Sequence, residues 1–353
     1  QKTTYSYQDI CNSLIDVGLE RGDNAYFTVS LGMLGICEGI NDGWSLNRVF
    51  FDAIKHVVGE QGTIFLSAYS YSFADSNRDL PRLFDPLTTP SKTGAFSNFL
   101  LQEKGVIRSL DPMMSILGLG PNSKIVLENI PSTSFGKNCV YSRLLNLKKT
   151  KCVLIGLGPN WVPFLHHTDW LANVPFRYDK MFFGGIVEKN KIRYLDWNYS
   201  VRAPIKESRA DAHQLGRLAV DAALWKSSPL GRAKIYSSDY TELFNFTLAH
   251  TKQNNWISAV GPKRQIFRKR QEPNALPAHP WPSQLLREYA QKIRGLMDDE
   301  IFHLLIAAKK SLPVKLFKFK SGENLYDCVV PEEPDSKNNK FYPSEMYVGL
   351  WCL

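Results

Sequence analysis

The apolar run KCVLIGLG, at residues 151–158, restricts the fold of this chain more than any other feature. Side chains of both alternating sets are apolar in this run, which is typical of a β-strand covered on both faces. A sheet that contains such a strand is covered by other elements on each side. The run therefore predicts a layered fold with a sheet in its middle.

Helix-like and strand-like patterns alternate around this run. Apolar residues recur at helical spacing in residues 6–19 and 45–59, and Ser45 is predicted to cap the second helix. Strands are predicted around Tyr26 to Val29 and in GTIFLSAYSYSF, while KMFFGGIVEKNKIRYLDW predicts a hairpin that turns at Glu188 to Lys191. With a further helix in SRADAHQLGRLAVDAALW, the alternation predicts the α/β class.

The composition changes after Gly261, where a basic and then proline-rich stretch begins. We predict a main domain in residues 1–262, a linker in residues 263–282 and a C-terminal extension of unknown role in residues 283–353. The extension starts with a long helical pattern, SQLLREYAQKIRGLMDDEIFHLLIAAKKS, and continues with β-like and irregular sequence.

The composition of the 353-residue chain narrows the classes of protein to which it can belong. No apolar run approaches the ~18 residues of a membrane span, and the start lacks the basic-then-apolar leader of a secreted protein. Six cysteines without CxxC spacing predict reduced thiols and a cytoplasmic location. The net charge of +9 fits either a solvated basic surface or attraction to an anionic ligand.

Two segments have the residue types of a loop that binds an anion or a cofactor. In TVSLGMLG, Thr28 and Ser30 place hydroxyls at a strand end, and Gly32 lets backbone N–H groups approach a ligand. In RSLDPMMS, Arg108 is suited to phosphate recognition. Neither segment has the spacing of a nucleotide-binding fingerprint. An ordinary turn and a surface arginine are therefore open alternatives.

The stretch FLHHTDWLANVPFR, residues 164–177, sets two histidines ahead of an aspartate. In a helix, His166 and Asp169 share one face, whereas His167 points about 100° away. A histidine with a carboxylate partner is typical of a general base, and a structural histidine is the alternative. A metal site requires three protein ligands or more, and the sequence shows no second cluster of His, Cys, Asp or Glu with the right spacing. Cys139 is either a nucleophile that His166 activates or a small buried side chain.

Read in order, the segments resemble the aminoglycoside 3-N-acetyltransferases over about residues 5–260. The resemblance follows GDNAYFTVSLGMLGICEG, VVGEQGTIFLSAYSYSF, LFDPLTTPSKTGAFSNFLL, GVIRSLDPMMSILGLGP, SFGKNCVYSRLLNLKKTKCVLIGLG and LHHTDWLANVPFR. It implies an α/β/α layered fold with a central mixed sheet. It also implies that acetyl-coenzyme A donates an acetyl group to an amine on a sugar, by direct transfer without an acyl-enzyme.

The resemblance implies roles for individual residues. His166 falls on the family's catalytic histidine, and Asp169 falls on its acidic partner, where a glutamate is usual. Asp111 departs from the family pattern, as do Met113 and Thr28, the latter in place of a histidine. The expected coenzyme contacts are Thr28, Ser30, Leu31, Gly32, Arg108, Ser109, Pro112, Met113 and Ser115. The expected acceptor contacts are Tyr69, His167 and Cys139.

The charge of the chain bears on the acceptor. Aminoglycosides are polycations and favour an acidic cleft, whereas this chain is strongly basic. We therefore expect an anionic amino sugar, such as a nucleotide-linked sugar of polysaccharide biosynthesis, and not an antibiotic. An aminoglycoside acceptor and a non-catalytic coenzyme-binding scaffold are the alternatives. Nucleic acid is not an expected partner, and a homodimer is left open.

Overall fold

The computed structural model describes residues 4–75, 82–189 and 191–261, together with four short strands farther along the chain. The helices are α1 Tyr7–Asp16, α2 Gly43–Val58, α3 Ala95–Leu100, α4 Ser123–Leu127, α5 Val140–Leu144, α6 Leu165–Leu171, α7 His213–Asp221 and α8 Tyr240–Gln253. Short 3-10 helices cover Leu31–Met33, Ser72–Ala74 and Lys206–Ser208. Up to residue 261 the strands are β1 Thr4–Tyr5, β2 Asn24–Val29, β3 Ile36–Cys37, β4 Thr63–Ser67, β5 Leu83–Phe84, β6 Ile107–Arg108, β7 Ile116–Leu119, β8 Thr150–Ile155, β9 Arg177–Glu188, β10 Lys191–Arg202, β11 Lys226–Leu230 and β12 Ala233–Asp239.

Seven of these strands form a central mixed sheet in the order β11-β12-β8-β2-β4-β7-β6. The three middle strands, β8, β2 and β4, are parallel to one another. The strands outside them pair antiparallel. The carboxyl ends of the parallel strands meet at one edge of the sheet, which is where α/β proteins commonly bind ligands.

Alternate residues of the middle strands enter two separate cores. Ala25 and Phe27 pack in the core that holds the buried residues of α1, α2 and α3, whereas Tyr26 packs in the core that holds those of α4, α5 and α8. In the run at residues 151–158, Cys152 and Val153 likewise enter opposite cores. The predicted α/β class and the layered arrangement around a mixed sheet are confirmed.

The helix starts follow local capping chemistry. In α1, Ser6 accepts from the Asp9 N–H and the Asp9 carboxylate accepts from the Ser6 N–H, which completes a capping box. The prediction that Ser45 caps the second helix is wrong. That helix begins two residues earlier because Asp42 accepts a hydrogen bond from the Ser45 N–H at 2.8 Å.

The strands β9 and β10 form a long hairpin that packs with β5 in a second sheet. Its register sets Glu188 opposite Lys191, which confirms the predicted turn. At the other end the same register sets Arg177, the first residue of β9, opposite Arg202, the last residue of β10. Two arginines are thereby brought side by side from positions 25 residues apart in the sequence.

The chain divides into a unit of residues 1–278 and a unit of residues 279–353. In the second unit, the strands β13 Val314–Leu316 and β16 Leu350–Cys352 pair antiparallel, as do β14 Asn324–Leu325 and β15 Cys328–Val329. The predicted linker of residues 263–282 and the long helix predicted after it lie outside the described residues. Among the described residues, no helix has the length and apolar character of a membrane span.

Candidate active site

A cavity of about 870 Å³ opens at the carboxyl edge of the parallel strands. The ends of β2 and β4 contribute Thr28, Ser30 and Ser67, and the segment after β8 contributes Leu157. The polar side chains of the lining are those of Thr28, Ser30, Ser67, Tyr69, Tyr71, Lys92, Thr93, Ser97, Asn160, His166, Arg209, Asp211 and His213. The position and the mixed lining are those of a small-molecule site.

The shape of this edge depends on the residue that follows β8. Gly156 has φ +70°, and a Cβ at this position would lie 2.3 Å from the carbonyl oxygen of Ser30. Any other residue would therefore push the end of β2 away from the end of β8. The glycine keeps the two strand ends that line the cavity in contact.

Hydroxyl groups line the wall formed by β2 and β4. The Thr28 Oγ1 atom is buried and has no hydrogen-bond partner among the residues that the structure describes. Nearby, the Tyr26 hydroxyl, Ser67 Oγ, the Tyr69 hydroxyl and the Tyr141 hydroxyl form a chain with distances of 2.9, 3.1 and 2.7 Å. Tyr69, which was predicted to contact the acceptor, lines the cavity. An unsatisfied buried hydroxyl is costly alone, so Thr28 fits a bound polar group.

The imidazole of His166 forms part of the opposite wall. Helix α6 carries it into the cavity lining, and its ring lies edge-on to Phe135 at 6.5 Å. Its Nδ1 atom lies 2.5 Å from Nη2 of Arg177. Burial lowers the pKa of His166 well below its usual range, and the charges of Arg177 and Arg202 lower that pKa further. His166 is therefore neutral in this site.

Asp169 lies beneath His166, fully buried, one helical turn farther along α6. Its carboxylate accepts hydrogen bonds from Arg177 Nε at 2.9 Å and from Ser258 Oγ at 2.5 Å, and it lies 3.6 Å from Nη2 of Arg202. The sequence predicted that Asp169 orients His166 directly. The structure corrects this expectation, because Arg177 joins the carboxylate to the imidazole.

His167 and Cys139 do not line the cavity, in contrast to the expected acceptor contacts. Each is 1% exposed, and the Cys139 Sγ atom lies 3.9 Å from the His167 ring nitrogens. The His167 ring stacks against Phe135, Tyr141 and Trp170. Burial raises the pKa of the Cys139 thiol and lowers the pKa of His167 to about 4. Both residues contribute to packing, and the buried thiol is not poised as a nucleophile.

The segment of residues 108–115 also lies away from the cavity lining, in contrast to its expected contact with the coenzyme. Arg108 is buried and donates to Ser115 Oγ, to the Thr89 carbonyl oxygen and to the Ala68 carbonyl oxygen. The Ser109 hydroxyl accepts from the Ile116 N–H. The side-chain donors of Arg108 are thus occupied by internal acceptors, which leaves the arginine a structural role.

Other residues that were expected to contact the coenzyme also lie away from the cavity lining. Pro112 is buried. Met113 is buried in the core that holds the residues of α4, α5 and α8, and Leu31 is buried in the core that holds those of α1, α2 and α3. Gly32 is exposed but does not line the cavity. Of the expected coenzyme set, Thr28 and Ser30 are the two residues that reach the cavity.

A comparison with protein-family models gives a match to the aminoglycoside 3-N-acetyltransferase model over residues 29–252, more than half of the chain. The chain belongs to this family. Its members are acyltransferases that act on amino groups, and acetyl-coenzyme A is their acetyl donor. This finding confirms the resemblance seen in the order of the sequence segments.

Curated relatives match at low identity but over nearly their whole length. The aminoglycoside N(3)-acetyltransferase III of Acinetobacter baumannii is 23% identical over 286 residues, 75% of this chain and 98% of that protein. The protein of the same name from Enterobacter cloacae is 22% identical over 286 residues, with the same coverage. Nothing in the comparisons supports the expected nucleotide-linked acceptor or a homodimer.

Solved structures of similar proteins share the fold. Aminoglycoside acetyltransferase AAC(3)-Xa has a TM-score of 0.61 at 19% identity, covering 71% of this chain and 93% of its own. AAC-VIa bound to sisomicin has a TM-score of 0.60 at 20% identity, covering 71% and 99%. AAC-IIIb in a binary complex with CoASH has a TM-score of 0.59 at 17% identity, covering 71% and 97%.

Sequence reasoning missed several residues of this site. Lys92 lines the cavity from within the family-like segment LFDPLTTPSKTGAFSNFLL, and Arg209 and Asp211 line it from a stretch that was predicted to be helical. None of the three was predicted as a site residue. Arg177 stands at the end of the stretch FLHHTDWLANVPFR, but nothing local indicates that it meets His166. It lies three residues before the predicted hairpin of residues 180–197, which in the structure is longer and runs from Arg177 to Arg202. Extending the register of the predicted hairpin outward would have paired Arg177 with Arg202.

Proposed function

We propose that this N-acetyltransferase acetylates an amino group of an aminoglycoside at the cavity on the carboxyl edge of the sheet. One observation carries the proposal: His166, the residue that matches the catalytic histidine of the family, lines that cavity. The expectation of a nucleotide-linked acceptor rested on the charge of the whole chain. The names of the relatives support the aminoglycoside alternative instead.

The residues at the cavity fit the coenzyme. Bound acetyl-coenzyme A supplies an acetyl group activated as a thioester. Thr28 would satisfy its buried hydroxyl against the polar amide-containing arm of the coenzyme, and Ser30 lies beside it at the end of β2. Arg209 is exposed at the cavity and provides positive charge for phosphate groups. Lys92 is also exposed there, but its ammonium group is paired with the Asp75 carboxylate at 3.0 Å. These assignments match the chemistry of the ligand to the donors that are present.

Among the described residues that line the cavity, the carboxylate is that of Asp211. Asp211 is half-exposed and lies 3.9 Å from His213 Nδ1. A carboxylate at this position attracts an ammonium group of an aminoglycoside without being buried. The acceptor amine would then lie between Asp211 and His166. His166 is the side chain that we place at the reacting atoms.

The proposal is tested by incubating the protein with acetyl-coenzyme A and a panel of aminoglycosides, measuring thiol release and the mass of the acceptor. We expect thiol release together with a mass gain of one acetyl group. His166→Ala should lower kcat/KM by about 10²- to 10⁴-fold, the usual contribution of a residue that handles a reacting proton. His56→Ala, an exposed histidine on α2, is the matched control and should retain the wild-type rate.

Two results would contradict the proposal. The first is wild-type activity in the His166→Ala protein. The second is the absence of thiol release with every aminoglycoside, while the coenzyme still binds in calorimetry. That second result would favour a coenzyme-binding scaffold that has kept the fold of the family.

A further inference from the structure

The cluster of hydroxyl groups beside the cavity has one proton more than its internal hydrogen bonds use. The cluster consists of the side chains of Tyr26, Ser67, Tyr69 and Tyr141, joined by hydrogen bonds of 2.9, 3.1 and 2.7 Å. Four hydroxyl groups carry four protons, and each of the three hydrogen bonds uses one of them. Burial raises the pKa of each of the three tyrosines, so all four protons are in place at neutral pH. One O–H of the cluster therefore has its acceptor elsewhere.

The directions of the three hydrogen bonds identify this O–H. Ser67 donates to the Tyr69 oxygen, so the Ser67 oxygen can only accept from Tyr26. Tyr141 is 1% exposed, and among the described residues its hydroxyl has no hydrogen-bond partner except Tyr69. If Tyr141 were the acceptor, its own O–H would be buried and unsatisfied, which is costly. Tyr141 is therefore the donor, Tyr69 accepts both bonds, and the remaining O–H belongs to Tyr69.

The Tyr69 hydroxyl is the part of the cluster that meets a ligand. Tyr69 lines the cavity and is half-buried, whereas the other two tyrosines are fully buried. Its backbone is held on both sides, because the Lys92 N–H donates to the Tyr69 carbonyl oxygen at 2.7 Å and the Tyr71 N–H donates to the Met113 carbonyl oxygen at 3.1 Å. The two hydrogen bonds that Tyr69 accepts polarise its O–H and strengthen it as a donor.

The ligand group that meets this O–H is a hydrogen-bond acceptor. The two incoming bonds occupy the acceptor side of the Tyr69 oxygen, so an ammonium group would find no lone pair there. The thioester carbonyl of bound acetyl-coenzyme A is an acceptor, and its oxygen becomes negative when an amine attacks. Tyr69 also stands near the ends of β2 and β4, on the wall where we placed the coenzyme against Thr28 and Ser30.

We propose that Tyr69 donates a hydrogen bond to the acyl oxygen of acetyl-coenzyme A and stabilises the negative charge that this oxygen gains during transfer. The inference rests on the proposed function for its acceptor. It assigns Tyr69 to the acyl group, in place of the contact with the acceptor sugar that the sequence predicted. His166 keeps the predicted role of general base.

The hydroxyl cluster and the imidazole are neighbours of the same aromatic ring. The ring of Phe135 lies 6.2 Å from the ring of Tyr141, which donates to Tyr69. The same Phe135 ring lies 6.5 Å from the ring of His166. Tyr69 and His166 both line the cavity, on opposite walls. An acyl carbon between the two walls has a donor for its oxygen on one side and a base for the attacking nitrogen on the other.

The bonds and protons of the transfer balance in this arrangement. The reacting amine attacks in its neutral form, so an ammonium group first releases one proton to the solvent. A bond then forms between the nitrogen and the acyl carbon, and the electron pair of the carbonyl double bond moves to the oxygen that Tyr69 faces. His166 takes one proton from the nitrogen. The carbonyl re-forms as the carbon–sulfur bond breaks, and His166 passes that proton to the sulfur, which leaves as a thiol. Tyr69 keeps its own proton throughout.

Infrared difference spectroscopy tests the contact without any acceptor. The probe is acetyl-coenzyme A labelled with carbon-13 at the acyl carbon, bound to the full chain. Because a hydrogen bond lowers the stretching frequency of a carbonyl group, we expect the band at lower wavenumber in the wild type than in Tyr69→Phe. Tyr141→Phe, the matched control, removes a hydroxyl from the same cluster and should keep the wild-type band. The same band position in the wild type and Tyr69→Phe would overturn the inference.

A second replacement at position 69 keeps the hydroxyl and so avoids unpaired groups in the cluster. A 3-fluorotyrosine at this position is a more acidic phenol and a stronger hydrogen-bond donor than tyrosine. We expect it to move the carbonyl band to lower wavenumber than in the wild type. An unmoved band with this variant would also overturn the inference.

The rate of acetyl transfer tests the catalytic part of the inference. With rates normalised to folded protein, Tyr69→Phe should lower kcat by about 10²- to 10³-fold, the usual loss when one oxyanion donor is removed. Tyr141→Phe should lose far less, because the Tyr69 O–H is still present. A wild-type kcat in Tyr69→Phe, or equal losses in the two variants, would contradict the donor role.

The infrared and kinetic results separate this inference from the proposed function. A carbonyl band that differs between the wild type and Tyr69→Phe, in a protein that acetylates no aminoglycoside, would contradict the proposed function and leave the contact with the acyl oxygen standing. Acetylation of an aminoglycoside with no difference between the two bands would support the proposed function and overturn the contact.

Discussion

Two buried arginines of this protein, Arg108 and Arg177, make contacts of very different kinds. Arg108 donates to two backbone carbonyls and a serine hydroxyl, and it lies away from the cavity lining. Arg177 donates to a carbonyl, a carboxylate and the imidazole that lines the cavity. The first closes a loop between strands, whereas the second joins a buried charge to the candidate catalytic histidine.

The difference shows that the partners of a buried arginine indicate its role better than its sequence motif does. The segment RSLDPMMS made Arg108 the expected phosphate ligand, whereas Arg177 belonged to no quoted coenzyme motif. Burial alone does not separate them, because they are 7% and 3% exposed. The two arginines differ in the acceptors that they contact, since of the two only Arg177 contacts a group that lines the cavity, the imidazole of His166.

Removing the shared carboxylate should have the largest effect on stability. Asp169→Ala leaves the buried Arg177 and the partly buried Arg202 side by side without a compensating charge. An uncompensated buried charge costs about 3–5 kcal/mol, so we expect the free energy of unfolding to fall by that amount. Urea unfolding at neutral pH measures this change.

The matched control for Asp169→Ala is Ser258→Ala. This change removes one hydrogen bond to the same carboxylate but leaves both arginines paired. A hydrogen bond to a charged group is worth about 1.5–3 kcal/mol, so the loss should be smaller. Equal losses in the two variants would mean that the carboxylate does not hold the arginines together.

A smaller effect on the free energy of unfolding is expected when Asp111, in the loop that follows Arg108, is replaced by asparagine. Burial raises the pKa of Asp111 from 3.8 to about 6. The folded protein therefore holds this proton more tightly than the unfolded chain, and the resulting stability is present below pH 4 and lost as the pH rises through 6. Asp111→Asn does not titrate and can keep the bonds that Oδ1 accepts from the Met113 and Met114 N–H groups.

We expect the stability of Asp111→Asn relative to wild type to increase by roughly 2 kcal/mol between pH 4 and pH 7. Denaturant unfolding of both proteins across this range measures the difference. His167, whose pKa is lowered to about 4, contributes in the opposite direction in the same range. It is present in both proteins and cancels in the comparison. A difference that does not change with pH would show that Asp111 titrates normally.

The fold was largely predictable because it rests on local periodicity. The run at residues 151–158 contains most of β8, a strand buried on both faces, and the hairpin turns where Glu188 faces Lys191. Details that depend on single hydrogen bonds were harder to predict. The start of α2 moved to Gly43 because Asp42, and not Ser45, provides the capping oxygen.

The candidate site was predictable only where its residues are close in sequence. The three-residue spacing of His166 and Asp169 indicated one helix face, and both lie in the same cluster. Arg202 and Ser258 join that cluster through tertiary packing, which sequence spacing does not encode. Net charge was a poor guide to the acceptor, since a sum over the whole chain does not report the charges at one cavity.

The most direct test compares Arg177→Met with Arg108→Met in steady-state acetylation of one aminoglycoside, with rates normalised to folded protein. Both changes remove a buried guanidinium and leave carbonyl acceptors unpaired, which should lower stability by about 1–3 kcal/mol for each unpaired group. The account predicts that Arg177→Met lowers kcat on the order of 10²-fold through misplacement of His166, with the KM for acetyl-coenzyme A unchanged. Arg108→Met should keep the wild-type kcat and KM. Equal losses of kcat in the two variants, or a loss confined to Arg108→Met, would contradict the account.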